Sequence, residues 1–310
     1  MSLHLDSRTY AGFQWRRRFY VYNVLPFGMA TAPRCFAKVM GLLVRSWRAS
    51  GIRMIAYLDD WLFVLSRTDA QSTLKRVLDD CRAAHVAINL EKSHLTPVRR
   101  LEHLGFEVDL DANRFRASPS RWDTLQGEIR EILRDDVCSA RQAYRTAGRL
   151  VSLGLALGPA ARIFTRHLYA WVDTLTTWDR RVPPHVDVRE ELLFWAATDR
   201  LTFTNPILAA PARSRSVFLA VDASDRGWGA YLLTPASSPP AHGFFSPAER
   251  EELSTHREVR GLLRCLHAFE PECTGASVFV KVDNQNVGRI AQRGSARPGL
   301  TFLAQYLFRW

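Results

Sequence analysis

The stretch RMIAYLDDWLFVLS, residues 53–66, places two adjacent carboxylates between two apolar arms. Both arms are rich in Ile, Tyr, Phe and Val, which favour strands, so the stretch predicts a β-hairpin with Asp59 and Asp60 at its tip. Carboxylates that lose contact with water need cationic or ionic partners, because an unpaired buried charge is costly. The pair therefore predicts a divalent metal site. A solvated turn is the alternative that these residues leave open.

Strand and helix patterns alternate on both sides of this hairpin, which predicts an α+β protein. Residues 17–25 read as a strand, and two amphipathic helices are predicted from Pro33 to Gly51 and from Asp69 onward. Weaker strand signals follow at 85–90 and 101–110. Residues 118–172 read as mainly helical with a break near Gly158-Pro159, followed by a helix at 190–197 and a boundary at 205–216. Beyond it, strands are predicted at 216–224, 227–233 and 277–284, and a helix at 254–269 capped by Ser254 or Thr255.

Length, charge and cysteine usage limit the class of protein. At 310 residues the chain predicts two or three domains, since a domain usually takes roughly 100 to 200 residues. Its formal charge of +11 favours a polyanionic partner, either nucleic acid or an anionic membrane surface. The basic residues are mostly arginine. This bias is explained equally well by contacts to phosphates, which guanidinium groups suit, and by a GC-rich genome. Five scattered cysteines without CxxC spacing predict neither a disulfide framework nor a zinc site, and favour a reducing compartment.

The amino terminus carries no apolar segment of the kind that forms a signal peptide, and no apolar run approaches the roughly 18 residues of a membrane span. An intracellular, soluble protein without membrane association is therefore expected.

A second set of acids lies far along the chain from the first. Asp222 and Asp283 each end a predicted strand, and Glu258 lies one turn inside a predicted helix. Acids from two strand ends and one helix can converge on a pair of metal ions. For each acid taken alone, the alternative is that it is an ordinary carboxylate at a strand end or on a helix face. Asp225 is predicted to be a turn residue between strands and not a metal ligand.

Four motifs occur in order at close spacing, namely LPFGMATAPRCFAKVM at 25–40, YLDD at 57–60, NLEKSHL at 89–95 and HLGFEVD at 103–109. Together they resemble the later palm motifs of reverse transcriptases. The resemblance implies that Asp59 and Asp60 bind metal and that Lys92 assists the departure of pyrophosphate. It also implies contacts to template, incoming nucleotide and primer by two short segments: Pro26, Phe27 and Gly28 before the first long helix, and Leu104, Gly105 and Phe106 in the primer grip.

Four segments resemble one branch of the reverse transcriptases more closely. They are residues 13–40, TAGRLVSLGLAL at 146–157, DASDRGWGAYL at 222–232 and DNQNVGRIAQRGS at 283–295. They resemble DIRS-type retrotransposons, whose polymerase is joined to a ribonuclease H domain. The resemblance implies RNA-directed DNA synthesis and hydrolysis of the RNA strand, with Asp222, Glu258 and Asp283 as metal ligands. The implied cofactor is Mg²⁺ or Mn²⁺, and the implied partners are RNA template, DNA primer, RNA–DNA hybrid and dNTPs. The oligomeric state is left open.

The resemblance also implies a domain order and a chain clipped at both ends. The expected order is a partial palm at 1–114, a helical thumb and connection at 115–212, and an α/β ribonuclease H-like domain at 213–310 with an incomplete carboxyl end. The family has a further palm carboxylate on an earlier strand and a further ribonuclease H acid later on. Asp6 is the sole upstream candidate for the first, but it lies so close to LPFG that it matches a surface residue just after the missing palm motif instead. Weak or absent DNA synthesis is therefore expected. A non-catalytic nucleic-acid-binding remnant and a nuclease without polymerase activity are the alternatives.

Overall fold

The computed structural model describes residues 2–203, 205–208, 215–234 and 238–310, and the chain divides into two compact units. The first unit is Met1–Val98 and the second is Arg99–Trp310. Both mix helices and strands, as the alternating sequence patterns predict. The three-domain order stays a prediction, and residues 209–214 of its second boundary lie outside the described part of the chain.

The first unit is built from two hairpins and two long helices. Its elements are α1 (Leu5–Arg8), β1 (Gly12–Trp15), β2 (Arg18–Val21), α2 (Ala32–Ala49), β3 (Arg53–Tyr57), β4 (Asp60–Val64) and α3 (Ala70–Ala83). Strands β1 and β2 pair antiparallel, and so do β3 and β4. The hairpin at 53–66 and the two predicted helices are therefore confirmed, each within a few residues of its predicted bounds.

A small apolar cluster holds the β3–β4 hairpin against both helices. Its buried members are Val44 and Trp47 from α2, Met54 from β3, and Val77 and Cys81 from α3. These helical residues recur every three or four positions, which is the spacing that places them on one face. The Trp47 indole also donates a hydrogen bond to Asp80 Oδ2 at 2.8 Å, so the cluster joins α2 to α3 by a polar contact as well.

The strand predicted at residues 85–90 is wrong, because this segment ends α3 instead. His85 has a positive φ of 55°, and the Val86 amide donates to the Cys81 carbonyl at 2.8 Å, which is how a helix commonly ends. Val86 and Ile88 then pack on the small cluster as single side chains. The alternating apolar pattern came from this packing and not from pairing with another strand.

The second unit begins with a small antiparallel sheet and continues as helices. Its elements up to residue 206 are β5 (Arg100–His103), β6 (Phe106–Asp109), β7 (Arg114–Ala117), α4 (Pro119–Asp135), β8 (Cys138–Ser139), α5 (Ala140–Ser152), α6 (Gly154–Leu157), α7 (Ala160–Ile163), α8 (Arg166–Thr174), β9 (Arg181–Val182), α9 (Val186–Ala197) and β10 (Asn205–Pro206). The sheet order is β10-β7-β6-β5. The mainly helical stretch is confirmed, and Gly158, with a φ of 59°, separates α6 from α7 where the break was predicted.

A mixed four-stranded sheet dominates the rest of this unit. The remaining elements are β11 (Ser216–Ala223), β12 (Gly227–Thr234), β13 (Ala241–Phe244), α10 (Pro247–Arg250), α11 (Ser254–Ala268), α12 (Glu270–Cys273), β14 (Ser277–Lys281), α13 (Gln285–Arg293) and α14 (Pro298–Arg309). The sheet order is β13-β12-β11-β14, in which only the β11–β14 pair is parallel. The predicted strands and the helix α11 are confirmed. The predicted cap is wrong, because α11 begins at Ser254 and Leu253 holds the cap position without a side-chain hydrogen bond.

One apolar core runs through the whole second unit. It includes Leu125 and Ile129 from α4, Leu192 from α9, Leu219 from β11 and Leu263 from α11. All five cysteines of the chain are free. Within the described ranges, no helix is long and apolar enough to cross a membrane.

A buried carboxylate ties three of these helices together. Glu191, on α9, accepts hydrogen bonds from the backbone amides of His167 at 3.1 Å and Leu168 at 3.0 Å, which lie at the start of α8. It also accepts a hydrogen bond at 3.0 Å from the side-chain amide of Gln305, on α14. A negative charge at a helix amino terminus is favourable, because the first amides lack partners within the helix and carry partial positive charge. Glu191 therefore links the helical part of this unit to its last helix.

Candidate active sites

Three acids from distant parts of the sequence line one small pocket in the second unit. Asp222 lies at the end of β11, Asp283 lies two residues beyond β14, and Glu258 lies on α11. Together with Val221, Ala223 and Val282 they form the pocket wall. We call this the acidic pocket. The structure thus brings together the three acids that the sequence places at two strand ends and one helix.

The parallel pairing of β11 with β14 accounts for the meeting of the two aspartates. The last paired positions are Ala220 and Lys281, and an aspartate follows each of them two residues later in the chain. Carboxyl ends of adjacent parallel strands lie side by side, so both side chains reach the same edge of the sheet. Helix α11 passes close above this edge, because Gly261 leaves room where an added Cβ would already lie 3.4 Å from the Ala223 Cβ. Glu258 lies one turn earlier on the same helix face.

The surroundings of Glu258 in the acidic pocket disfavour its ionised form. Burial raises the pKa of this carboxyl, a side-chain hydrogen bond with Asn284 opposes the rise, and the charges of Asp283 and Asp222 raise the pKa further. Within the part of the chain that the structure describes, the buried Glu258 Oε2 has no hydrogen-bond partner. Asn284 itself caps α13 by accepting a hydrogen bond from the Asn286 amide at 2.9 Å. Like charges and an unpartnered oxygen are typical of a site that needs a cation.

The donor set suits a hard divalent cation, but the ligand shell is not assembled. Carboxylate oxygens are the ligands that Mg²⁺ prefers, and Glu258 Oε2 is free to serve as one. Among the described residues, however, no three His, Cys, Asp or Glu side chains stand close enough together to hold one metal ion. The acids of the pocket therefore share a wall without forming a coordination sphere. A metal site here stays a prediction.

Replacing Glu258 with glutamine should stabilise the metal-free protein while it removes the charge. Because the pKa of Glu258 is raised on folding, its ionised form weakens the fold at pH values above the ordinary Glu pKa. We expect the melting temperature at pH 7 to rise by about 2 °C, as a gain of roughly half a kcal/mol would give. The gain should shrink as the pH falls through the raised pKa of the folded state, and it should vanish below the ordinary Glu pKa, where the carboxyl is protonated in both states. Thermal unfolding in EDTA between pH 4 and 8 measures this; a lower melting temperature at pH 7 would contradict it.

The tip of the β3–β4 hairpin carries the other acidic pair. Tyr57 pairs with Asp60, so Leu58 and Asp59 form a two-residue loop, and Leu58 adopts a positive φ of 51°. The Trp61 indole donates to the Leu58 carbonyl at 2.9 Å and fixes this turn. A leucine in this backbone region is unusual and strained, and such strain often occurs at functional sites.

Both carboxylates of this pair are exposed in the structure. The sequence argument that a buried pair needs a countercharge is therefore wrong for the first unit, since the apolar arms pack on α2 and α3 while the tip stays in water. The hairpin nevertheless presents the two adjacent carboxylates together at a tight turn.

The other predicted polymerase residues lie in both units. In the first, Phe27 is fully exposed and Gly28 has a φ of 90° in the turn before α2. Pro26 beside them is partly buried. Lys92 is exposed, and its backbone amide donates to Asn89 Oδ1 at 3.2 Å. These four residues therefore lie in turns and loops of the same unit as the Asp59–Asp60 hairpin.

The predicted primer-grip residues belong to the second unit, in the β5–β6 turn. Leu104 and Gly105 have φ values of 51° and 79°, the pattern of a tight two-residue hairpin loop. The Arg121 guanidinium lies 5.4 Å from the centre of the partly buried Phe106 ring. It also fills the space beside Gly105, where an added Cβ would lie 2.3 Å from Arg121 Cδ. The positive φ at the second position of this turn favours glycine, since any other residue would be strained there.

Sequence reasoning missed an ion network across strands β5, β6 and β7 of the same sheet. Asp109, on β6, is buried and accepts hydrogen bonds from the Ala112 amide at 2.9 Å, Arg100 Nη2 at 2.5 Å and Arg116 Nη1 at 2.9 Å. The Ala112 amide and the Arg100 guanidinium hold the pKa of Asp109 far below its usual range. Glu107 pairs with Arg116 across the strands at 2.8 Å. Alternate acids at 107 and 109 facing alternate arginines at 114 and 116 were the available signal.

Comparison with known proteins assigns the first third of the chain to a class. Residues 2–108 match the family model described as reverse transcriptase (RNA-dependent DNA polymerase). This range contains the YLDD hairpin, the loop before α2, Lys92 and the β5–β6 turn. Residues 2–108 are therefore similar in sequence to reverse transcriptases.

More particular relatives extend over nearly the whole chain. It is 23% identical over 295 residues to the enzymatic polyprotein of cauliflower mosaic virus (strain CM-1841), which covers 91% of this chain and 40% of that polyprotein. The enzymatic polyprotein of carnation etched ring virus is also 23% identical, covering 92% of this chain and 41% of the relative. The chain thus spans about two fifths of the length of these polyproteins.

Solved structures share the fold at lower identity. A foamy viral protease-reverse transcriptase in complex with double-stranded DNA matches 99% of this chain and 52% of its own, with a TM-score of 0.57 and 16% identity. Another, in complex with an RNA/DNA hybrid, matches 99% of this chain and 40% of its own, with a TM-score of 0.53 and 14% identity. The mixed α/β architecture described above therefore resembles that of these foamy viral proteins.

Proposed function

We propose that this chain is the RNA-directed DNA polymerase and ribonuclease H portion of a retrotransposon polyprotein, of the DIRS type by its motifs. The observation that carries the proposal is the reverse transcriptase match over residues 2–108 together with the two aspartates at the tight β3–β4 turn. The net charge of +11 supports a polyanionic partner. RNA template, DNA primer, RNA–DNA hybrid and dNTPs are the proposed substrates and partners.

In the polymerase half, Asp59 and Asp60 are the proposed metal ligands. Lys92 would assist the departure of pyrophosphate, either by donating a proton to it or by stabilising its negative charge. The exposed Phe27, with Pro26 and Gly28, would contact template and incoming nucleotide, while Leu104, Gly105 and Phe106 would hold the primer end. The tight β5–β6 turn, with Arg121 packed on the Phe106 ring, supports that last assignment.

In the nuclease half, Asp222, Glu258 and Asp283 are the proposed ligands and the acidic pocket is the proposed site of RNA hydrolysis. Mg²⁺ or Mn²⁺ bound at either site would activate the attacking oxygen and neutralise charge on the phosphate. The protein's own contribution is to present the three carboxylates together at one edge of the sheet. Asn284 assists by its hydrogen bond to Glu258, which opposes the rise of that carboxyl's pKa.

The domain assignment that accompanies this function is also a proposal. Residues 1–114 would be the palm remnant, 115–212 the thumb and connection, and 213–310 the ribonuclease H-like domain. The β13-β12-β11-β14 sheet with α11 packed against it supports the last of these, since its acids come from two strand ends and the covering helix.

A nuclease or nucleic-acid-binding protein without polymerase activity is the second candidate. It is favoured by the β3–β4 tip, which presents two exposed carboxylates, whereas three acids line the acidic pocket. Two adjacent carboxylates hold a pair of metal ions poorly, so DNA synthesis would be weak. Both candidates use the same basic chain to hold nucleic acid.

Three assays on the full chain separate these functions. Primer extension on a primed RNA template with dNTPs and Mg²⁺ tests the polymerase, cleavage of a labelled RNA–DNA hybrid tests the nuclease, and anisotropy tests binding. If extension occurs, the Asp59→Asn/Asp60→Asn variant should reduce its rate by at least about 100-fold. The matched control is Asp79→Asn, which alters an exposed acid of α3 in the same unit.

The pattern of outcomes decides between the candidates. Extension that depends on Asp59 and Asp60 supports the polymerase. Hybrid cleavage without extension supports the nuclease, and binding without either reaction supports the binding remnant. Extension that is equally fast in the double variant contradicts the assigned polymerase site.

A further inference from the structure

The β1–β2 hairpin presents an aromatic face that no described residue covers. Antiparallel register pairs Phe13 with Tyr20 and Trp15 with Arg18, and Tyr22 follows Tyr20 by two positions. Because side chains alternate across a strand, Phe13, Trp15, Tyr20 and Tyr22 lie on one side. We call them the aromatic face. Phe19 projects from the opposite side of the same hairpin.

The rings of the aromatic face are ordered against one another but remain open to water. Phe13 stacks on Tyr20 with ring centres 5.4 Å apart and planes at 19°, and its centre lies 5.1 Å from that of Tyr22. Trp15 is 61% exposed, Phe13 is 45% exposed, and the two tyrosines are each 41% exposed. Every residue of both strands is exposed. A contiguous apolar surface of this kind usually marks a binding site.

The charged residues of the segment that contains this face, residues 10–31, are of one sign. Residues 10–31 contain three arginines, Arg16 to Arg18, and neither aspartate nor glutamate. Arg16 and Arg17 form the hairpin turn with φ values of 47° and 63°, and the Arg16 guanidinium lies 5.8 Å from the centre of the Trp15 ring. The positive charge is therefore concentrated at one end of the aromatic face, directly beside its most exposed ring.

Flat rings beside arginines and away from acids suit one class of partner. Unpaired bases stack on aromatic side chains whatever their sequence, and the phosphates between them attract guanidinium groups. A duplex hides its base faces, so it would use the arginines and leave the rings unused. A second copy that met this face with its own residues 10–31 would bring three more arginines and no acid to pair with them.

We propose that the aromatic face of the β1–β2 hairpin binds single-stranded nucleic acid, with bases stacked on its rings and phosphates at Arg16 and Arg17. The contact is independent of base sequence. This proposal rests on the proposed function only for the class of partner, nucleic acid. The binding itself requires neither the acids of the two candidate active sites nor a metal.

Binding of labelled oligo(dT) and oligo(U) to the full chain in EDTA tests the proposal. The variant Trp15→Ala/Tyr20→Ala should bind both single strands at least about tenfold more weakly, as expected for two lost stacking contacts. Its affinity for a blunt duplex should change less than twofold. The matched control is Phe19→Ala, which removes an 83% exposed ring from the opposite side and should leave single-strand binding unchanged.

A second variant tests the arginines without disturbing the turn. Asparagine tolerates positive φ, so Arg16→Asn/Arg17→Asn keeps the hairpin and removes two charges. The slope of log K against log salt for single strands should become less steep by about 1.4, which corresponds to two phosphate contacts. An unchanged slope would overturn the assignment of the phosphates to Arg16 and Arg17.

Several results would overturn the proposal as a whole. These are equal losses in the aromatic double variant and in Phe19→Ala, no loss in the double variant, or tighter binding of anionic vesicles than of oligo(U) through the same rings. A concentration-dependent dimer that the double variant abolishes would assign the face to self-association. If primer extension or hybrid cleavage persists in any of these cases, the proposed function stands while this inference fails. If the parent chain binds no nucleic acid at all, both fail.

Discussion

Asp283→Asn should reduce cleavage of the RNA strand of an RNA–DNA hybrid by at least about 100-fold, and Asp222→Asn should do the same. Both aspartates line the acidic pocket at adjacent ends of β11 and β14, where they face Glu258. Amide oxygens carry no charge, so each substitution weakens metal binding and leaves the phosphate's charge without compensation. Single-turnover cleavage of a labelled hybrid, compared with and without Mg²⁺, measures the loss.

A matched aspartate lies three residues from Asp222. Asp225 belongs to the exposed turn between β11 and β12, as the sequence predicts, and it does not line the acidic pocket. Asp225→Asn should therefore cleave the hybrid at the parental rate, and all three variants should bind the hybrid with similar affinity in EDTA. Equal rates for Asp283→Asn and Asp225→Asn would show that the acidic pocket is not the site of hydrolysis.

Glu191→Ala should destabilise the second unit by about 3–5 kcal/mol, the usual cost of removing one partner from a buried charged network. The substitution leaves the amides of His167 and Leu168 and the side chain of Gln305 without their acceptor, in a place where water does not replace it. Burial disfavours the charged form of His167, but the nearby Glu191 carboxylate offsets this and raises the pKa of His167. The variant loses that favourable pairing too.

Urea unfolding followed by far-UV circular dichroism measures this effect, with Glu190→Ala as the control. Glu190 precedes Glu191 on the same helix and is exposed, so its removal should change the unfolding free energy by less than about 0.5 kcal/mol. Glu191→Gln should fall between the two, because an amide oxygen still accepts hydrogen bonds without the charge. Equal stabilities of the two alanine variants would contradict the role assigned to Glu191.

Much of the local structure follows from short-range patterns in the sequence. The β3–β4 hairpin, the helices α2, α3 and α11 and the strands β11, β12 and β14 all lie close to where periodicity places them. The misses have local causes as well. Residues 85–90 alternate like a strand, yet they end a helix, because single side chains that pack on a cluster give the same pattern as a paired strand.

Burial was harder to predict than secondary structure. Asp59 and Asp60 lie in a run of apolar residues and seemed to need a countercharge, but they are exposed at a turn. Asp109 and Glu191 gave no such signal and are buried. A residue's burial depends on which elements pack around it, and that information is spread over the whole chain.

By itself the sequence determined the period of each element and the positions of the acids at the ends of strands, because both depend on neighbours only a few residues away. The tertiary structure alone decided that β11 pairs in parallel with β14, some 60 residues later, and so brought Asp222, Glu258 and Asp283 into one pocket. It also decided that Glu191 meets Gln305 and that the aromatic face of β1–β2 stays open. These contacts join residues that are distant in the chain, and their choice is made by the packing of a shared core rather than by local propensity.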